Sequence, residues 1–295
     1  MTAKPHLAVL GTGLMGAPMA RRLLGGGFAV TVWNRSPEKA QALAPDGARI
    51  ATSVAEAVRE ADVVITMLDN GAVVTDVLFA QGAAEALKDG AVVIDMSSIP
   101  PSTARDHAHR LETLGVDHLD APVSGGTVGA AQGTLAIMAG GSEAVFQRVK
   151  AVFAPLGRAL LVGPSGSGQL AKLANQAIVG ITIGAVAEAL LLAERGGADP
   201  GAVREAIRGG FAESRILDLH GLRMVEREFT PGGKVTTQIK DLETILATAD
   251  ELSLDLPLSR DVHRRYIELR DTLGGGDLDH AALFLQLEAA SPKRN

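Results

Sequence analysis

Short apolar runs alternate with amphipathic stretches through the first half of the chain. "HLAVLG", "FAVTVWN", "DVVITML" and "AVVIDMS" are rich in β-branched residues and read as buried strands. Between them, "LMGAPMARRLLGGG" repeats its apolar positions at helical spacing, and "SPEKAQALA" offers Ser36 as an N-cap with Pro37 at the first helical position. Strands alternating with helices predict a parallel sheet covered by helices on both faces. The alternation continues more loosely through "VDHLDAPV", "TLAIMAGG" and "ALLVG", and after Gly163 the strand signal stops. "PSGSGQ" reads as a hinge. A long apolar helix is predicted from about Gly168 to Arg195, and only helical segments follow, from "DPGAVREAIRGG", with Asp199 as N-cap, to "DHAALFLQLE". The expected architecture is an α/β domain over residues 1–164 and an all-α domain over residues 165–295, joined by the long helix.

Composition narrows the function classes. The chain has 295 residues, 46% hydrophobic and 21% charged, which suits a globular protein with a sizeable core. Its net charge of −6 argues against a nucleic-acid partner, which would favour a basic face. There is no cysteine, so disulfides and thiolate metal sites are excluded. The start, "MTAKPHLAVLG", lacks the apolar run and small-residue cleavage site of a signal peptide. The apolar stretch "AIVGITIGAVA" is too short to span a bilayer and reads as a core or interface helix. The expectation is a soluble, cytoplasmic protein without a membrane partner.

The first candidate site is "VLGTGLMGAP", which holds G-x-G-x-x-G at Gly11, Gly13 and Gly16. Placed after a strand and before a helix, the pattern signals a dinucleotide turn, with Thr12, Leu14 and Met15 completing it. The glycines permit a tight turn, close approach of a pyrophosphate and close helix–strand packing, and the helix N-terminus meets the phosphates with unpaired N–H groups. An acid ending the second strand would bind the ribose hydroxyl of NAD. This chain has "VWNRS" there: Asn34, Arg35 and Ser36. Arg35 can pair with a 2′-phosphate, and Asn34 and Ser36 can donate to it, so NADP is favoured with NAD an alternative.

Three more segments carry candidate chemistry. In "DAPVSGGTVGAAQGTL", Ser124, Gly125 and Gly126 form a turn into a short helix, where converging N–H groups and a hydroxyl could hold a small carboxylate, though spacing alone slightly favours an ordinary turn. In "GSGQLAKLANQ", Lys172 is the only charge before Glu188, and Asn175 lies three residues on, along one helix face. A lysine in a partly dry site, its pKa lowered toward the operating pH, suits proton transfer to a carbonyl oxygen; a lysine snorkelling to water is the alternative. In "QIKDL", Lys240 and Asp241 read by themselves as a solvated helical pair, and "HAH" at 107–109 reads as a solvated helix face rather than a metal site.

In this order, "GTGLMGAPMA", "DAPVSGGTVGAAQGTL", "GSGQLAKLANQ" and "KDL" resemble the motifs of the β-hydroxyacid dehydrogenase family along essentially the whole chain. The resemblance implies a Rossmann domain followed by an all-helical domain. It implies Lys172 as catalytic acid/base with Asn175 beside it, and Ser124 and Gly125 as carboxylate holders. Met67, Leu68, Val73 and Ser98 fall on the cofactor side, Lys240 where the family contacts cofactor or substrate, and Asp241 next to it. "KLANQAIVG" and "AIRGGFAESRILD" look most like the tartronate semialdehyde (2-hydroxy-3-oxopropionate) reductases of the family, and "VTVWNRS" like its NADPH-dependent glyoxylate/succinic semialdehyde reductases. Thr12 in place of the usual Leu, Arg22 in place of Asn, and the absence of a His just before "KDL" are departures that bear on the substrate.

The implied activity is NADP(H)-dependent interconversion of a small 3-hydroxyacid and its semialdehyde, with no metal needed. 3-Hydroxyisobutyrate dehydrogenase and glyoxylate/succinic semialdehyde reductase are the near alternatives. A non-catalytic NADP-binding module and an imine reductase are competing classes that retention of Lys172 argues against. A 6-phosphogluconate dehydrogenase would need a longer helical region and a basic cluster. The apolar run from Ile178 to Ala187 is hydrophobic all round, so a homodimer or homotetramer is expected.

Overall fold

The computed structural model describes residues 4–291. Its strands are β1 (Leu7–Leu10), β2 (Val30–Trp33), β3 (Arg49–Ile50), β4 (Val63–Thr66), β5 (Val92–Asp95), β6 (Asp117–Asp120), β7 (Val123–Ser124), β8 (Leu135–Gly141) and β9 (Gly157–Gly163). They form one sheet in the order β3-β2-β1-β4-β5-β6-β8-β7, with β9 pairing β8. The first six strands are parallel, in the doubly wound order of dinucleotide-binding folds. The expected all-parallel sheet is corrected beyond β6: β8 runs antiparallel to both β6 and β7. β7 turns directly into the helix Gly126–Gln132, and β8 returns along the sheet edge.

Both faces of the sheet are buried, which is why its strands read as continuous apolar runs. Leu7, Val9, Val32 and Ile65 face one layer with Met19 and Leu23 of the helix Gly16–Gly25 and Phe146 and Phe153 of the helix Glu143–Phe153. Ala8, Leu10, Val64 and Val93 face the other, with Val54, Leu78, Ala104 and Leu111.

The chain divides into compact units Met1–Lys172 and Leu173–Asn295, a division that falls inside the long helix Ser167–Arg195. The first turn of that helix is hydrogen-bonded to the sheet, through residues of the segment expected to be a hinge. The helix has the bounds expected of it, about Gly168 to Arg195, but its apolar character runs beyond the stretch taken as too short to span a bilayer. At 29 residues it is long and apolar enough to cross a membrane by length and composition. Its residues Ile183, Ala187 and Leu190 are instead packed in the core of the second unit, with Leu217, Leu242, Tyr266 and Phe284. That unit continues with the helices Pro200–Ile207, Arg215–Glu226, Val235–Glu251, Pro257–Leu273 and Leu283–Ala290. Asp199 caps the first of these by accepting from the Ala202 N–H at 2.6 Å.

Candidate functional site

The glycine-rich turn connects β1 to the helix Gly16–Gly25. Gly11 has φ +101°, and a Cβ there would collide with the Met67 carbonyl oxygen. A Cβ at Gly16 would collide with the Gly11 carbonyl oxygen. These two glycines are therefore required by packing alone. Gly13 differs: a Cβ there would meet no protein atom within 4 Å, so its backbone borders open space. No side chain caps the helix; the Ala17 N–H is taken by the Gly13 carbonyl at 3.1 Å and Pro18 has no N–H, so within this turn Gly16 is the helical residue whose N–H can meet another acceptor. This is the cradle that a pyrophosphate fits, and a dinucleotide suits the residues present.

Asn34 has a role that strand reasoning did not assign. Its Oδ1 accepts from the Thr12 N–H at 2.9 Å, and its Nδ2 donates to the Ser36 carbonyl at 3.1 Å. The amide braces the glycine turn against the loop after β2, which limits its capacity to donate to a phosphate. Arg35 is exposed on the same loop, and the Ser36 hydroxyl makes no capping bond to the helix Pro37–Gln41. Arg22, one of the family departures, donates from Nε to the Pro155 carbonyl at 3.1 Å and so serves packing.

Met67 and Leu68 follow β4, Ser98 follows β5, and Val73 lies on the helix Gly71–Thr75. A buried polar network ties these loops together. The Leu68 N–H donates to Ser97 Oγ at 3.0 Å, while the Ser97 N–H and Thr66 Oγ1 donate to Asp95 Oδ1 at 2.9 and 2.7 Å. Burial pushes the Asp95 carboxyl up to about 6, against the bonds from Thr66 and Ser97 that lower it. Gln169, in the first turn of the long helix, donates to the Ser97 carbonyl at 2.8 Å and accepts from the Ile99 N–H at 3.1 Å. Asp120, at the end of β6, accepts from the Gly166 N–H at 2.7 Å and the Gln169 N–H at 2.8 Å. Burial raises its carboxyl pKa, opposed by those same backbone donors. Lys172 stands one helical turn beyond Gln169 and is half-buried.

Ser124 ends β7, and Gly125 and Gly126 follow with φ +136° and +62°, the expected turn into a short helix, Gly126–Gln132. In the helical unit, Asn175 donates from Nδ2 to Gln176 Oε1 at 2.8 Å, and Gln176 donates from Nε2 to Asp241 Oδ2 at 2.5 Å. Asp241 is buried, with Lys240 Nζ at 3.8 Å from its Oδ1. The pair is thus not simply solvated. Gln176, Asp120 and Gln169 escaped the sequence reading, although all three lie within its quoted motifs. Among the described residues no group of three or more His, Asp or Glu is arranged as a metal site. His107 of "HAH" also departs from expectation: it is fully buried on the Ala104–Leu111 stripe of its helix, 2.7 Å from Thr75 Oγ1, while His109 is exposed.

The comparisons with known proteins agree with this geometry. Residues 6–163 match the NAD-binding domain of 6-phosphogluconate dehydrogenase, and residues 166–287 match the NAD-binding family of NADP-dependent 3-hydroxyisobutyrate dehydrogenase. The 2-hydroxy-3-oxopropionate reductase of Escherichia coli strain K12 is 45% identical over 288 residues, covering 96% of this chain and 97% of that one. This chain belongs to the β-hydroxyacid dehydrogenase family. It is an NAD(P)-dependent oxidoreductase with a nicotinamide cofactor. The L-threonate dehydrogenase of Cupriavidus necator is 34% identical, covering 95% of each chain. Among solved structures, the 3-hydroxyisobutyrate dehydrogenase of Mycobacterium tuberculosis with L-serine superposes with a TM-score of 0.90 at 32% identity, covering 97% of this chain and 100% of that one.

Proposed function

We propose that the protein is an NADP(H)-dependent reductase of a small semialdehyde, with 2-hydroxy-3-oxopropionate as substrate and the corresponding 3-hydroxyacid as product. The likeness to the Escherichia coli reductase over nearly the full length of both chains carries the substrate assignment. Arg35, exposed where an acid would select NAD, supports NADP.

In this reading a bound reduced nicotinamide supplies the hydride that reaches the aldehyde carbon. Lys172 gives its proton to the aldehyde oxygen, so that the C=O becomes a CH–OH; in the reverse direction it takes the alcohol proton. Ser124, with the N–H groups of Gly125 and Gly126, holds the substrate carboxylate and fixes which carbon is presented. Asn175 and Lys240 are assigned to substrate, and Asp241 holds Lys240 and Gln176 in place.

The test is NADPH oxidation with 2-hydroxy-3-oxopropionate, methylmalonate semialdehyde, glyoxylate and succinic semialdehyde in parallel, repeated with NADH. The highest kcat/KM is expected for 2-hydroxy-3-oxopropionate with NADPH. A preference for methylmalonate semialdehyde would move the assignment to 3-hydroxyisobutyrate dehydrogenase, which the likeness to the Mycobacterium tuberculosis enzyme favours as the second reading. NADPH binding without turnover of any of the four would favour a non-catalytic module.

A further inference from the structure

The first turn of the helix that carries Lys172 is held by two buried side chains, Asp120 and Gln169. The helix Ser167–Arg195 begins by meeting the carboxyl ends of β5 and β6. A helix of this length carries partial positive charge at its N-terminus and unpaired N–H groups in its first turn. No residue of its own first turn is acidic. The carboxylate comes instead from Asp120 on β6, whose two oxygens take the Gly166 and Gln169 N–H groups at 2.7 and 2.8 Å. The approach is close because two glycines permit it. A Cβ at Gly168 would collide with the carbonyl oxygens of Met138 and Asp120, and one at Gly140 would come within 2.7 Å of the Gly168 nitrogen.

Gln169 then fixes the rotation of the helix about its axis. Its side chain is 1% exposed, and both its polar ends are used on one loop, the Ser97 carbonyl and the Ile99 N–H. That loop contains Ser98 and, through Ser97 Oγ, holds the Leu68 N–H of the loop after β4. Residues three apart on a helix share a face, so fixing Gln169 fixes the direction of Lys172. A helix anchored only at its end could still turn about its axis; a two-point bond from Gln169 removes that freedom.

We infer that Asp120 and Gln169 are positioning residues that register Lys172 against the cofactor-side loops Met67–Leu68 and Ser97–Ser98. This rests on the reading of Lys172 as the proton donor. A group displaced by about 1 Å from its working position can cost up to about 100-fold in rate, so an intermediate loss is expected when the register is loosened.

The experiment is a double-mutant cycle on the full-length protein, with kcat and KM measured for 2-hydroxy-3-oxopropionate and NADPH affinity followed by fluorescence titration. The variants are Gln169→Met, which keeps the length of the side chain and loses both bonds, Lys172→Ala, and the double variant. The expected result is a kcat about tenfold lower for Gln169→Met, NADPH affinity within about twofold of the parent, and less than about twofold further loss when Gln169→Met is added to Lys172→Ala. A merely structural role would lower the melting temperature and leave kcat per folded molecule unchanged, and that result overturns the proposal. Losses that multiply across the cycle overturn it as well. If Gln169→Met does not fold, Asp120→Asn replaces it in the same cycle, since the amide retains one acceptor for the helix. Full activity in Lys172→Ala would defeat the proton-donor reading and the positioning role with it. A loss in Lys172→Ala alone, with none in Gln169→Met, would defeat only the positioning role.

Discussion

Two glycines of one motif answer to different forces, and two substitutions separate them. Gly16→Ala sets a Cβ against the Gly11 carbonyl oxygen, which cannot move without opening the turn. It is expected to cost about 3 kcal/mol or more and to be seen as a lower melting temperature with or without cofactor. Gly13→Ala meets no protein atom, so the melting temperature of the free protein should hold. NADPH affinity should fall by about tenfold, equivalent to about 1.4 kcal/mol, because the methyl group stands where the phosphates approach. Equal effects of the two variants on the free protein would contradict this division. Arg35 makes a sharper prediction still. Arg35→Ala should raise the KM for NADPH by about tenfold and leave that for NADH within about twofold, as removal of a 2′-phosphate partner requires.

At the scale of elements, the helix Pro101–Glu112 and strand β6 carry a buried pair of histidines. His118 has both ring nitrogens buried without a partner, and His107 meets Thr75 through Nε2 and leaves Nδ1 buried. Burial holds His107 down to about 4, with Asp106 opposing and Arg110 adding to the effect. Burial holds His118 down to about 3, with His107 adding to it. The folded state thus binds fewer protons than the unfolded chain below the ordinary histidine pKa, and stability is lost as pH falls through that range. Asp95 has the opposite sign: its carboxyl is raised to about 6, so it favours the folded state as pH falls from about 6 toward the ordinary carboxylate pKa. Asp120, whose carboxyl burial also raises, acts with Asp95, and the two histidines act against both. His118→Leu, which replaces a buried unpartnered ring by an apolar side chain, should reduce the fall in melting temperature between pH 7 and pH 5. An unchanged fall would show that the acid sensitivity lies elsewhere.

For the whole molecule, the legible part of the sequence was the part written in local periodicity. Strand runs, the glycine turn and the succession of helices follow from spacings of two to four residues. The direction of β8 was not legible, because an alternating run has the same pattern whichever way it is traversed. Nor was the anchoring of the long helix: Asp120 and Gln169 are 49 residues apart, and their bond exists only once β6 and the helix are in place. The glycines at 140 and 168 were the available signal, since small residues in two distant segments mark a close backbone approach. The bracing role of Asn34 is hidden for the same reason, its partner Thr12 lying on the preceding strand–helix turn. The expected self-association is also a property of this scale. Sedimentation at micromolar concentration should give a dimer or tetramer, and a monomer would contradict it.

The claim on which the account turns is that Lys172 transfers the proton. The most direct measurement is kcat for NADPH-dependent reduction of 2-hydroxy-3-oxopropionate by the parent and by Lys172→Ala, with NADPH affinity determined for both. General acid–base catalysis predicts a loss of about 100-fold or more in kcat with NADPH affinity preserved. A loss of less than about tenfold would assign the proton to another group and contradict the account.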